Sequence, residues 1–289
     1  MQYLMLVGAA VLLAADFSLN KIYQKLQGTS PAISFGFNSL FGLFTAIIFF
    51  VINGFRADFS TYSFIMAALV NGLVMCYNII GFRLLKSGTM ALYTLFLMSG
   101  GMVVPYIFGV LFLSEPFSFL KTAGIMLILV GVILSNANNT KVNSKQIAMF
   151  IAVFILNGFV SVISKLHQIE VRFDTVNATD FVLIGGVFKF IFAGTLYLFA
   201  RNNFAEKTKS KTKIAPFIII IASAAVGGIS YLLQLFGASS LPATVLYPFV
   251  TGGSVVLSSL AGIIFFKDKL SKNVIASIIL CFLGTILFL

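Results

Sequence analysis

"ALYTLFLMSGGMVVPYIFGVLFLSEPFSFLKTAGIMLILVGVILS" occupies residues 91–135, and "TVLYPFVTGGSVVLSSLAGIIFFKDKLSKNVIASIILCFLGTILF" occupies residues 244–288. At a constant offset of 153 residues, Gly100 falls on Gly253, Gly109 on Gly262, Ser118 on Ser271 and Gly131 on Gly284. The acidic residue after the long apolar run matches too, Glu115 with Asp268. Small residues recur at every fourth position in both stretches: Gly101, Pro105 and Gly109 in one, Ser254, Ser258 and Gly262 in the other. That spacing lays a smooth stripe along one helix face, which lets helix backbones approach closely in lipid. Earlier segments match at an offset of 144, where Lys21 meets Lys165, Gln24 meets Gln168, Gly42 meets Gly186 and Phe44 meets Phe188. The chain therefore reads as a duplication, residues 1–140 and 141–289.

Composition says what surrounds the duplicated unit. Of the 289 residues, 60% are hydrophobic and 9% charged, and the mean hydropathy is +1.06. A soluble domain carries roughly 25% charged residues, so lipid must solvate most of this chain. A bilayer core about 30 Å thick needs roughly 20 apolar residues per helix. Ten such runs are visible, at about 3–22, 32–52, 62–82, 88–113, 119–136, 146–166, 180–200, 215–236, 240–266 and 271–289. They are continuously apolar rather than alternating, which favours helices over a barrel. Residues 3–22 lack the basic start and small-residue cleavage site of a signal peptide and read as a retained membrane helix. The separators carry turn and charge signals, and "RNNFAEKTKSKTK" (201–213) is polar enough to read as a mobile surface loop.

Five helices per copy is an odd number, so the second copy enters the membrane from the opposite face. The expectation is an all-α membrane protein of ten transmembrane helices, two inverted five-helix repeats around a central cavity. Such mirrored halves suit alternating access to a midplane site.

The end of each copy, "FLSEPFSFLKTAGIMLILVGVIL" (112–134) and "FFKDKLSKNVIASIILCFLGTIL" (265–287), resembles the EamA-type repeat, two of which build the ten-helix drug/metabolite transporter superfamily. The second copy departs from the family's Gly-Glu turn, reading Lys267-Asp268. The resemblance covers essentially the whole chain and implies a secondary transporter or exporter of small metabolites. It also implies termini in the cytoplasm.

Lys189 is the sharpest candidate for a site. It sits in "GGVFKFIFAG" (185–194), inside a run from Phe181 to Ala200 with no other charge. A lysine at the bilayer centre costs roughly 2.5–3.5 kcal/mol, while strongly apolar residues each return about 0.3–0.6 kcal/mol. The segment still inserts, but the ammonium needs a wet cavity or a carboxylate partner. One reading is a cation facing substrate and holding a carboxylate or phosphate; the other is an ion pair with Asp16. Asp16 is the one carboxylate clearly inside a run and is the candidate for coupling to a proton or ion, or for pairing with Lys21, Lys165 or Lys189. Lys21 and Lys165 lie at helix ends, where lysine commonly reaches the interface, but their match across the copies marks them as candidate cavity residues.

Asn71 and Asn78 share a face of the third helix, Tyr231 and Gln234 lie three apart on the eighth, and Asn157 lies inside the sixth. Tyr93 and Tyr247 occupy nearly corresponding places. Of these, Asn78, Tyr231, Gln234, Tyr93 and Tyr247 are assigned to substrate binding; the alternative for each is a hydrogen bond between helices. His167 reads as an interfacial residue at a helix end, and Pro105 and Pro248 as local breaks or hinges. Cys76 and Cys281 read as small core residues.

Of the 19 Lys and Arg, all but Arg56, Lys121, Lys165, Arg172 and Lys189 fall in connections 1–2, 3–4, 5–6, 7–8 and 9–10. The positive-inside rule puts those connections in the cytoplasm and the termini outside, against the resemblance. The net charge of +11 arises from these flanks and calls for no nucleic-acid partner. No Gly-rich phosphate loop, metal-ligand cluster or nucleophile motif points to an enzyme or a cofactor. The functional expectation is a multi-pass plasma-membrane protein, a secondary-active exporter of a small organic metabolite, amino acid-like or anionic. A lipid or lipid-linked sugar flippase and a polyspecific drug exporter are the alternatives. A membrane-embedded enzyme would need paired acidic or His residues at matching depth.

Overall fold

The computed structural model describes residues 2–85, 90–135, 143–203, 214–267 and 272–288. These form ten helices, α1 (Gln2–Gln27), α2 (Pro31–Ile52), α3 (Thr61–Leu85), α4 (Met90–Phe112), α5 (Phe119–Ser135), α6 (Ser144–Ile169), α7 (Ala178–Asn203), α8 (Ile214–Ser240), α9 (Ala243–Phe266) and α10 (Lys272–Ile286). No strand occurs among the described residues. Eight helices are long and apolar enough to cross a membrane; the apolar parts of α5 and α10 are shorter, Phe119–Leu134 and Ile275–Ile286. The protein has the build of a multi-pass membrane protein. Asp268 and Ser271, and most of the polar stretches 136–145 and 201–213, lie outside the described residues.

Helix boundaries follow local chemistry. Ser30 caps α2 by accepting from Ile33 N, with Pro31 at the first helical position. Asn143 and Gln146 close a reciprocal capping box at α6. Asn177 accepts from Asp180 N at 2.8 Å to start α7. At the far ends of α4 and α9 the backbone turns left-handed, at Ser114 (φ 55°) and Lys267 (φ 54°). There Glu115 N and Lys267 N donate to Gly109 O and Gly262 O respectively. α4 and α9 run unbroken through Pro105 and Pro248, so the breaks expected at those prolines are absent.

Glycines decide how tightly the helices pack. The largest contact is α2 on α7. A Cβ on Gly42 would stand 2.5 Å from Phe190 N and 2.7 Å from Gly186 O, and one on Gly186 would stand 2.9 Å from Gly42 O. α5 and α10 cross in the same way, a Cβ on Gly124 meeting Gly284 O at 2.8 Å and one on Gly131 meeting Ser277 O at 3.0 Å. α1 packs on α8 and α9, α6 packs on α3 and α4, and α4 packs on α9. Residues Leu6, Met102, Ile128 and Leu246 anchor the largest buried cluster, where α1, α4, α5 and α9 meet. Outward faces carry exposed Leu4, Leu111, Phe119, Phe199 and Phe265, as lipid contact requires.

Gly42→Val should therefore force α2 and α7 apart and lower unfolding free energy by about 3 kcal/mol. Gly72→Ala, whose added methyl would meet Phe192 no closer than 4.0 Å, should change stability by less than about 1 kcal/mol. Thermal unfolding of the two variants in detergent checks the contrast.

Candidate functional site

One face of α1 lines two neighbouring cavities that share part of their walls. Leu13, Asp16 and Phe17 line an inner cavity of about 360 Å³, and Phe17, Asn20, Lys21 and Gln24 line an outer one of about 890 Å³. This i, i+3, i+4, i+7 progression is a single helix stripe. α7 presents the same progression to the inner cavity with Val182, Gly185, Gly186 and Lys189. Phe17, Val74, Tyr77, Leu97, Met98 and Lys189 border both spaces. The outer cavity reaches the α1–α2 connection at Gly28 and Thr29.

Gly42 and Gly186 set the position of Lys189. Their close crossing brings the first turns after Gly186 against α2, and the Lys189 ammonium lies over the Phe41 ring, 4.3 Å from its centroid. A cation–π contact of this kind is worth about 0.5–2 kcal/mol, less than the roughly 2.5–3.5 kcal/mol cost of placing the lysine there. Lys189 borders both cavities, and Asp16 also interacts electrostatically with it. The two are nonetheless not in ion-pair contact. Asp16 Oδ1 is buried beside the Ser223 hydroxyl. Both residues border the inner cavity.

The remaining sequence candidates divide by place. Tyr231, Gln234 and Tyr247 line the inner cavity with Asp16 and Lys189; Lys21, Asn78 and Tyr93 line the outer one. Lys21 lies over the Phe266 ring at 4.5 Å. Lys165 borders neither cavity. It is buried, and its Nζ donates to Ala238 O at 2.6 Å and to Leu241 O at 2.7 Å, holding the end of α8. Many polar linings are tied to the protein itself. Asn71 Nδ2 donates to Ala67 O at 2.9 Å, Asn157 Nδ2 to Leu97 O at 2.7 Å, and the Tyr247 hydroxyl to Ser161 O at 2.6 Å. The Tyr231 hydroxyl pairs with Ser164 Oγ at 2.7 Å.

At the end opposite the outer cavity, hydrogen bonds fasten the α8–α9 connection. Pro242 occupies the N-cap of α9 and supplies no side-chain cap. Glu115, from the α4–α5 connection, takes that role and accepts from Ala243 N at 2.7 Å and Thr244 N at 2.8 Å. Lys165 and Glu115 thus grip the α8–α9 connection from its two sides. His167, expected at the interface, is instead fully buried. It bonds Ser63 Oγ at 2.8 Å and stacks on Phe181, with ring centroids 3.8 Å apart. Ser63 Oγ also accepts from Val176 N at 3.0 Å, which ties the α6–α7 connection to α3. Asp180 accepts from Asn53 at 2.6 Å and Asn177 at 2.7 Å. Outside the spans, Arg172 makes a two-pronged hydrogen bond to Glu170 and holds that carboxyl at about 2.

Residue reading missed three of these roles. Tyr77 borders both cavities, yet it sits in an apolar run with no partner to flag it. Glu115 carries a usable signal: a helix opened by Pro242 needs a cap from elsewhere. His167 gave none, because its partner Ser63 lies 104 residues away.

No family model matches this chain, and no curated protein sequence matches it. Among 28 matching chains of solved structures, one protein crystal structure superposes with a TM-score of 0.75 at 15% identity, over 98% of this chain and 95% of that one. That likeness shows a shared fold.

Removing either grip on the α8–α9 connection should leave backbone groups unpaired. Lys165→Met and Glu115→Ala should each cost about 2 kcal/mol. The double variant should fall short of the sum by at least about 0.5 kcal/mol, because both residues hold one segment. A double-mutant cycle from thermal unfolding measures that coupling.

Proposed function

We propose that the protein is a secondary-active transporter that works by alternating access, exporting a small organic metabolite, amino acid-like or anionic, across the plasma membrane. The observation that carries this reading is the inner cavity with Asp16 and Lys189 on its wall, which shares part of its lining with the outer cavity, while hydrogen bonds fasten the α8–α9 connection at the other end of the bundle. A binding chamber with access from one face is one half of a transport cycle.

The second half requires the two copies of the repeat to exchange shapes, and several contacts support an inverted repeat. The pair Gly42–Gly186 is its own partner under the 144 offset. Gly124–Gly284 becomes Ser277–Gly131 under the 153 offset, and both contacts are present. α1 packs on α8 as α6 packs on α3, and α1 packs on α9 as α6 packs on α4. Ser114 and Lys267, 153 residues apart, share the left-handed conformation. In the exchanged state Lys21 takes the latch position that Lys165 holds here, and Lys165 opens into the new entrance.

The connections around the outer cavity belong to the set rich in Lys and Arg, which the positive-inside rule places in the cytoplasm. In that orientation the chamber faces its load from inside, as an exporter must before it turns. The resemblance to EamA-type transporters supports the same mechanism. The inner cavity is small for a lipid-linked sugar, which weighs against the flippase reading.

Thr251 lines the inner cavity, so Thr251→Cys in a Cys76→Ala background reports access. A membrane-impermeant thiol reagent should label it from one face only in proteoliposomes. Saturating transported solute should raise labelling from the opposite face at least severalfold. Labelling that never reaches the opposite face, with amino acids, organic acids or phosphates added, overturns transport. Lys189→Met should remove ligand-dependent thermal stabilisation while the protein stays folded.

A further inference from the structure

We infer that the inner cavity is built for a zwitterion: an α-amino acid with an apolar side chain, its carboxylate on Lys189 and its ammonium on Asp16. This rests on the transport reading above and narrows it to one substrate class.

The first ground is the geometry of the two charges. Asp16 on α1 and Lys189 on α7 border the same space of about 360 Å³. They are near enough to interact yet not in ion-pair contact. Opposite charges in a low-dielectric site attract strongly, so holding them apart leaves room for something between them. Asp16 Oδ1 itself is buried beside the Ser223 hydroxyl, while the residue borders the cavity, where an ammonium group would answer its charge.

Charge balance is the second ground. A simple anion would answer Lys189 and meet repulsion from Asp16; a simple amine would do the reverse. A ligand with one group of each sign, a few ångströms apart, satisfies both and enters with no net charge. Complementarity of this kind acts largely by penalising the wrong partner.

The side chain follows from what else the wall offers. Asn71, Asn157, Tyr231 and Tyr247 spend hydrogen bonds on the protein, as described above. The rest of the lining includes Leu13, Val70, Val74, Val160 and Val182. The apolar stretch of wall desolvates an apolar side chain favourably, and no third charged residue lines the cavity to answer a charged one. The volume stands at the small end of the roughly 300–1,000 Å³ of organic-ligand pockets, which suits a single amino acid.

The test is equilibrium binding to the purified full chain, read by calorimetry and by thermal shift. The probes are L-leucine, L-valine, L-methionine and L-phenylalanine, with two halves of leucine: 4-methylpentanoate, lacking the amine, and 3-methylbutylamine, lacking the carboxylate. At least one of the amino acids should bind, and each half should bind at least tenfold more weakly than leucine. Asp16→Asn should erase the preference for leucine over 4-methylpentanoate, and Lys189→Gln the preference over the amine. The wild-type comparison needs no variant to fold and stands alone. If 4-methylpentanoate binds as well as leucine, the zwitterion is overturned while an anion transporter survives. If the amine binds as well, Asp16 is a cation site and the inference falls in the same way. Tighter binding of glutamate or lysine than of leucine overturns the apolar side chain. Binding of none of these overturns the inference outright, and the Thr251→Cys labelling then decides the transport reading separately.

Discussion

The crossing of α2 and α7 at Gly42 and Gly186 is the constraint on which the site depends. Two backbones meet there with no side chain between them. In lipid, helices gain little from burying apolar groups against one another, so close van der Waals packing carries the association. The crossing carries Lys189 to the Phe41 ring and within the field of Asp16. A larger residue at either glycine would move the ammonium as well as the helix. Stability and binding chemistry therefore share one contact.

The charges do not follow the duplication. Counting 144 residues from Asp16 leads to Val160, and counting back from Lys189 leads to Thr45. All four residues line the inner cavity. The wall is thus matched between the copies in position and unmatched in chemistry, with one acid in the first copy and one base in the second. In the transport cycle proposed above, halves that exchange shapes would need likeness and an asymmetric ligand would need them to differ, and one charged residue per copy would meet both demands.

Much of this architecture was legible in residue order. Ten apolar runs located ten helices, because length and hydropathy report directly on the solvent a segment occupies. Lys189 and Asp16 stood out because charge in an apolar run is rare, and the structure places both on the inner cavity. Tertiary partnership was not legible. Lys165 looked like a snorkelling helix-end lysine and turned out to hold backbone carbonyls, groups that every residue carries and that leave no mark in sequence. His167 looked interfacial because its position in the helix says nothing about the α6–α7 connection folding over it. Pro105 and Pro248 looked like breaks, but α4 and α9 continue through them.

The latch at the closed end has a bearing on what can vary. Lys165 addresses Ala238 O and Leu241 O, and Glu115 addresses Ala243 N and Thr244 N. None of these four groups belongs to a side chain. Ser239 and Ser240 between them are exposed. Ser239 and Ser240 can therefore change freely, whereas Leu241 is held by the core cluster and the length and peptide trace of the segment stay fixed. Divergence there would leave the closure intact, whereas one residue inserted or removed would uncouple it.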